Sequence, residues 1–251
     1  MSSKASSTPT NKTLPSFFSL LRSSLALIRQ NFSAILGYTG WLLLPIIAHI
    51  IIRTTLGLSD LGTFLDLLAN IILVFIAINL CNTIALHVPI WQTKFTNDSE
   101  RLAASATATA LAQKNISSVL WVIIISSFIT LVGYALIIPG LIFATWFAFA
   151  PLTILFENTR GIAALQASRN LLRGRFWSAA LRFWSFEFLI LISYLIIAGL
   201  ILVAFGWQPS TSFGEWTPPL AADTLMNFLE LAVLPLIVIY TTLLYQALKV
   251  E

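Results

Sequence analysis

The sequence predicts an all-α integral membrane protein with six transmembrane helices and amphipathic elbow helices lying in the membrane interface. Three observations carry this. Of 251 residues, 58% are hydrophobic and only 10% charged, where a soluble domain carries about 25% charged residues; mean hydropathy is +0.89. So few charges cannot cover a soluble surface of this size. Six apolar runs reach the roughly 20 residues a bilayer span needs. And the basic residues fall almost entirely on one side of those runs.

Taken in order, residues 1–13, "MSSKASSTPTNKT", hold seven Ser or Thr and two Lys and are expected to be a disordered cytoplasmic tail. No cleaved signal peptide is expected, since the first apolar segment carries Arg22 and Arg29 and the next run is too long. Residues 14–251 form a single six-span membrane domain. In "LPSFFSLLRSSLALIRQNF", Leu14, Phe18, Leu21, Leu25, Ile28 and Phe32 recur at steps of four and three, which predicts a helix lying in the interface.

The six spans are expected at about 33–54, 64–91, 116–138, 140–157, 177–206 and 220–247. "RLAASATATALAQKN" predicts a weaker interfacial helix ahead of the third span. Pro139 and Gly140 in "IIPG" are expected to make a tight turn between the third and fourth. "RGIAALQASRNLLRGRFW" predicts an amphipathic helix ahead of the fifth, with Ile162, Leu165, Leu171 and Leu172 set against Arg160, Gln166, Arg169 and Arg173. The loop "GWQPSTSFGEWTPP" joins the last two spans.

"LIRQNFSAIL" (27–36), "LAQKNISSVL" (111–120) and "LLRGRFWSAA" (171–180) align without gaps, each where an interfacial helix bends into a span. The chain therefore divides into three units, about 14–92, 99–157 and 160–248, each an elbow, a span out and a span back. All enter from one side, so they are parallel repeats. That side holds thirteen of the fourteen Lys and Arg, with only Arg53 opposite. The excess of positive charge on that side places both termini in the cytoplasm and the chain in the cell membrane (the inner or plasma membrane). Trp91 and Trp177 would mark one boundary and Trp207 and Trp216 the other.

The segment "IPGLIFATWFAFAPLTILFENTRGIAALQASRNLLRGRFW" resembles the glycerophosphoryl diester phosphodiesterase membrane-domain family. The matching features are Pro139-Gly140, Pro151, Glu157, Ala164-Leu165, Ser168 and Gly174-Arg175-Phe176-Trp177, with "LLYQALK" (243–249) resembling the family's ending. The resemblance implies a polytopic membrane module, in some members fused to a soluble phosphodiesterase. That catalytic domain needs histidines and clustered metal-binding carboxylates. This chain has two His, His49 and His87, both in spans, so the activity is not carried over.

An ionisable residue inside a span marks a functional candidate, because its desolvation is costly. Glu187 and Glu230 each lie about ten residues into a span. Asp223, Asn227 and Glu230 make a polar stripe descending from the outer face, and Asn79 and Asn82 share a face of the second span. These six residues could line a wet path, or could be interhelical hydrogen bonds. Glu157 is expected to cap its span or to pair with Arg160 or Arg169. Arg160, Arg169, Arg173 and Arg175 are expected to contact anionic lipid, at about 1 kcal/mol per basic residue near the surface.

No catalytic constellation, metal-ligand cluster, cofactor motif or nucleic-acid-binding pattern is present, and no Ser and His stand in a catalytic relation. Cys81 is the single cysteine, so no disulfide forms within the chain. Three readings follow. The first is a non-catalytic membrane module organising lipid or a membrane-protein partner. The second is a transporter or permease using Glu187 and Glu230. The third, an enzyme acting on lipids, has no residue constellation behind it.

Overall fold

The computed structural model describes residues 14–56, 59–206 and 219–250; the predicted tail, Trp207, Trp216 and most of the loop between the last two spans lie outside them. The described residues are all-α, with no strand. The helices are α1 (Phe17–Gln30), α2 (Phe32–Thr39), α3 (Leu43–Thr55), α4 (Asp60–Gln92), α5 (Asp98–Tyr134), α6 (Ile138–Phe147), α7 (Ala150–Glu157), α8 (Ile162–Leu171), α9 (Phe176–Ala204) and α10 (Leu220–Lys249). Six helical stretches are long and apolar enough to cross a membrane: Phe32–Thr55, Asp60–Gln92, Asp98–Tyr134, Ile138–Glu157, Phe176–Ala204 and Leu220–Lys249.

Two of these spans are composite. The first joins α2 to α3 through a 3₁₀ turn, Gly40–Leu42. The fourth breaks between α6 and α7 at Ala148 and Phe149. Pro151 stands in the first turn of α7 and has no N–H to give Phe147. One turn away, the buried Ser168 hydroxyl of α8 donates to the Trp146 carbonyl at 2.5 Å, so the break is partly satisfied from the elbow below it.

The three elbow junctions differ. Asn31 separates α1 from α2, with its side-chain amide donating to Leu27 O at 3.0 Å. Between α8 and α9 the chain turns through Gly174 at φ 82, a conformation glycine adopts without strain. The expected second elbow does not bend. Its Ala-, Gln- and Lys-containing sequence has high helix propensity and no breaker, so α5 runs unbroken for 37 residues. At about 1.5 Å per residue that is roughly 55 Å, well beyond a ~30 Å hydrocarbon core. The elbow end of the α4–α5 hairpin therefore reaches past the hydrocarbon.

The turn between the third and fourth spans also falls earlier than the sequence predicts. Ala135–Ile137 make it, with Ile137 at φ 56, while Pro139 sits in the first turn of α6, where its missing N–H costs nothing. Gly133 and Gly140 let the two helices close. A Cβ on Gly140 would lie 2.7 Å from Tyr134 Cα, and one on Gly133 would lie 3.0 Å from Gly140 Cα.

The core sits at the elbow side. Leu80–Val88 of α4, Ala108–Val122 of α5, Ala150–Leu155 of α7 and Ile239–Leu248 of α10 supply most of its buried side chains. At its centre Phe186 of α9 stacks on Tyr240 of α10, centroids 3.9 Å apart and rings 6° from parallel. Tyr240 Oη donates to Arg182 O at 3.0 Å. The Arg182 guanidinium donates in turn to the carbonyls of Pro15 and Leu14, at 2.6 and 3.1 Å, fastening the start of the chain.

On α1 the face against the core is Leu20, Ser24 and Leu27. The predicted apolar stripe presents Phe18, Leu25 and Phe32 outward, where an interfacial helix meets acyl chains. The half of the bundle away from the elbows is thinly packed, as lipid removes the hydrophobic drive between helices.

Candidate functional site: three polar groups on the bundle

The first group closes the side away from the elbows. His49 of α3 reaches Asp66 of α4 through Nδ1 at 2.5 Å and Asp223 of α10 through Nε2 at 3.0 Å. Carboxylate oxygens only accept, so two such contacts need two protons shared among the three groups. The imidazole thus ties three spans from three different elements. Asp223 does not continue a stripe toward Glu230: its carboxylate turns to His49. In the sequence His49, Asp66 and Asp223 fall in three separate spans; helix crossing alone brings them together.

Glu230 is exposed on α10, and its Oε1 accepts from Tyr194 of α9 at 2.9 Å. Glu187 is half-buried on α9, and its carboxylate forms no hydrogen bond among the described residues. Asn227 is half-buried between Asp223 and Glu230. No hydrogen bond links the two glutamates among the described residues. Neither lines any of the four hollows described below. Glu157 pairs neither with Arg160 nor with Arg169: it accepts from Tyr245 Oη at 2.7 Å and meets Lys249 Nζ at 3.3 Å, joining the end of α7 to the end of α10.

The second group is the third elbow. Arg169 and Arg173 line a hollow of about 640 Å³ with Gln166, Asn170, Gly174, Trp146, Leu172 and Phe176. The Arg169 guanidinium lies over the Trp146 ring, 4.5 Å from its centroid, which holds one cation at the rim. Arg173 is exposed. Arg175 is half-buried at the N-cap of α9, and Arg160 is exposed in the link before α8. Two of the four predicted arginines thus share one hollow. A second basic surface lies on α1, where Arg22, Leu25, Ala26, Arg29 and Gln30 border about 560 Å³.

The third group was not anticipated. Asn79, Thr83 and His87 recur every four residues on α4, and Ser105, Thr109 and Gln113 do so on α5. The antiparallel pairing sets these stripes face to face. His87 Nδ1 faces the Thr83 carbonyl at 2.7 Å and so must carry the proton; Nε2 is then the acceptor, with one lone pair between Ser105 Oγ at 2.8 Å and Tyr38 Oη at 3.0 Å. A Ser–His contact, which the sequence reading did not expect, therefore exists. His87 is only 2% exposed, and Trp91 lies against its ring.

Above that pair, Tyr38, Trp41, Phe75, Ile76, Asn79, Leu80, Thr83, Thr109 and Gln113 line a half-open groove of about 400 Å³. Asn82, on the same helix face as Asn79, is buried, and its Nδ2 finds no acceptor among the described residues. A fourth hollow, about 330 Å³, is edged by Ser126, Ser127, Thr130 and Tyr134 beside the break at Ala148. Among the described residues no three His, Cys, Asp or Glu are placed to hold a metal ion.

No protein-family model, curated protein or solved structure matches this chain.

Proposed function

We propose that this polytopic membrane protein is a non-catalytic module that binds anionic lipid at its basic elbows in the cytoplasmic leaflet of the cell membrane. The observation that carries the reading is the hollow at the α8–α9 bend. It offers two guanidinium groups, Arg169 and Arg173, two amides and a Trp146 floor just ahead of the fifth span. Guanidinium forks match phosphate oxygens, and a leaflet of negative surface potential concentrates such ligands there. The basic face of α1 adds a second contact of the same sign. On this reading the three hairpin units are parallel repeats, the second with a straight helix in place of its elbow, both termini are cytoplasmic, and the resemblance of residues 138–177 to a membrane-domain family supports a module and lends no activity.

The test is lipid retention. Protein purified from membranes containing phosphatidylglycerol should carry it into mass spectrometry, and replacing Arg160, Arg169, Arg173 and Arg175 by Gln should strip it. Equal retention by wild type and variant would reject the reading.

A second reading, transport of a small solute, draws on one observation. The fourth span is broken in mid-course beside the Ser126, Ser127 and Thr130 hydroxyls, and discontinuous spans build many transporter sites. Flux into vesicles carrying the purified protein would support it.

A further inference from the structure

We propose that the groove between α2, α4 and α5 is a binding site for a neutral glycerolipid of the diacylglycerol type, entered sideways from the elbow-side leaflet. It is separate from the basic elbow hollow and shares no residue with it.

The lining is graded along the membrane normal. Tyr38, Thr83 and Thr109 lie nearest the elbow side, Asn79 and Gln113 one turn further in, and Trp41, Phe75 and Ile76 deepest. Helix direction fixes this order: α2 and α5 run away from the elbows, and α4 runs toward them. A lipid of that leaflet has the same polarity, with hydroxyl and esters outward and chains toward the midplane. Trp41 and Phe75 are exposed on the bundle surface, so the mouth opens where acyl chains are.

The ligand's charge follows from what the groove lacks. None of its lining residues is charged. A phosphate would have no cation to meet, and desolvating it there would be costly. A neutral hydroxyl and ester carbonyls fit. Neither the Asn79 amide nitrogen nor any side-chain atom of Gln113 donates a hydrogen bond among the described residues, so two amide donor groups stand ready for carbonyl oxygens. Thr83 and Thr109 spend their own protons on the Asn79 and Ser105 carbonyls, at 2.9 and 3.0 Å. Their oxygens remain to accept from a hydroxyl, as does the second lone pair of Asn79 Oδ1, which Thr83 Oγ1 approaches at 3.5 Å.

At about 400 Å³ the groove is in the range of small-ligand sites. It takes the glycerol and ester part while the chains run out past Trp41. His87 and Ser105 do not line it. The His87 contact to its hydroxyl holds Tyr38 in place as the end wall.

The experiment uses full-length protein in phosphatidylcholine vesicles with a clickable diacylglycerol carrying a diazirine in one acyl chain, and a phosphatidylglycerol probe with the same chains. The diacylglycerol probe should label α2 and the facing parts of α4 and α5. Excess unlabelled diacylglycerol should remove that label, and excess phosphatidylglycerol should leave it. Asn79→Leu with Gln113→Leu should cut it about tenfold, the effect of losing two neutral hydrogen bonds, without changing phosphatidylglycerol retention at the elbow.

Labelling spread over all lipid-facing helices, equal labelling by both probes, or an unchanged double variant would overturn the proposal. If the double variant does not assemble, Thr109→Val and the wild-type competition decide the same question. Arg169→Gln with Arg173→Gln should abolish elbow retention and spare the groove, so failure at one site is distinguishable from failure at the other.

Discussion

At His49 one imidazole holds two carboxylates from different spans, with side-chain exposures of 13% for the ring, 21% for Asp66 and 31% for Asp223. Hydrogen bonds to charged groups contribute about 1.5–3 kcal/mol each when broken one-sidedly. His49→Leu also leaves two like charges facing one another. We expect it to lower stability in detergent by about 2–3 kcal/mol, read as a clear fall in thermal midpoint; an unchanged midpoint would show that the triad holds nothing together. Glu230 is the contrasting case. It is exposed and has one neutral partner, the Tyr194 hydroxyl, which an amide oxygen can also accept, in a weaker bond. Glu230→Gln should therefore stay within about 0.5 kcal/mol of wild type, and a large loss of stability would mean that the carboxylate has a charged partner outside the described residues.

Among the elements, α5 and α9 show how the same residue type means different things. At the α5–α6 turn Gly133 and Gly140 face backbone at contact distance. Gly140→Ala must push Tyr134 or open the hairpin, and overpacking of this kind costs about 1–3 kcal/mol. Gly199, inside α9, has nothing within 4 Å of an added Cβ. Gly199→Ala should be neutral or stabilising by up to about 1 kcal/mol through helix propensity. Paired unfolding curves for the two variants check the ordering, and equal effects would refute the close helix approach. The elbows follow the same local logic. α8 and α9 separate because Gly174 takes a positive φ, and α5 stays whole because nothing in "LAQKNISSVL" breaks it. Alignment of the three junction sequences thus captures composition better than shape.

The whole bundle is tight at the elbow side and loose on the other, where the His49 triad, the Tyr194–Glu230 contact and the glycine hairpin are the polar or close ties among the described residues. On the proposed topology, with the elbows in the cytoplasm, that looser half would face outward. In a Cys81→Ser background, Ser59→Cys at the start of α4 should react with an impermeant thiol reagent added to intact cells, and Thr159→Cys beside the elbow should react only after lysis. The reverse pattern would invert the topology and move the basic elbows to the outer leaflet.

Composition and apolar run length alone determined the fold class, the number of spans and their approximate ends, because satisfying backbone groups in hydrocarbon leaves a chain this apolar few structures to adopt. The basic elbow was legible too, since four arginines cluster within Arg160–Arg175 just ahead of a long apolar run, and Arg169 and Arg173 stand one helical turn apart. Tertiary structure decided which polar groups meet. His49, Asp66 and Asp223 are 17 and 174 residues apart along the chain, and only helix crossing joins them. The facing stripes on α4 and α5 carried a visible i, i+4, i+8 signal in Asn79, Thr83, His87 and in Ser105, Thr109, Gln113. Neutral polar residues on a single helix, however, look like ordinary interhelical glue. They become a groove only when the antiparallel pairing sets them opposite one another and α2 brings Tyr38 and Trp41 to close one side. Periodicity fixes a residue's direction around its own helix axis, and a site needs the relative placement of several axes, which packing alone supplies.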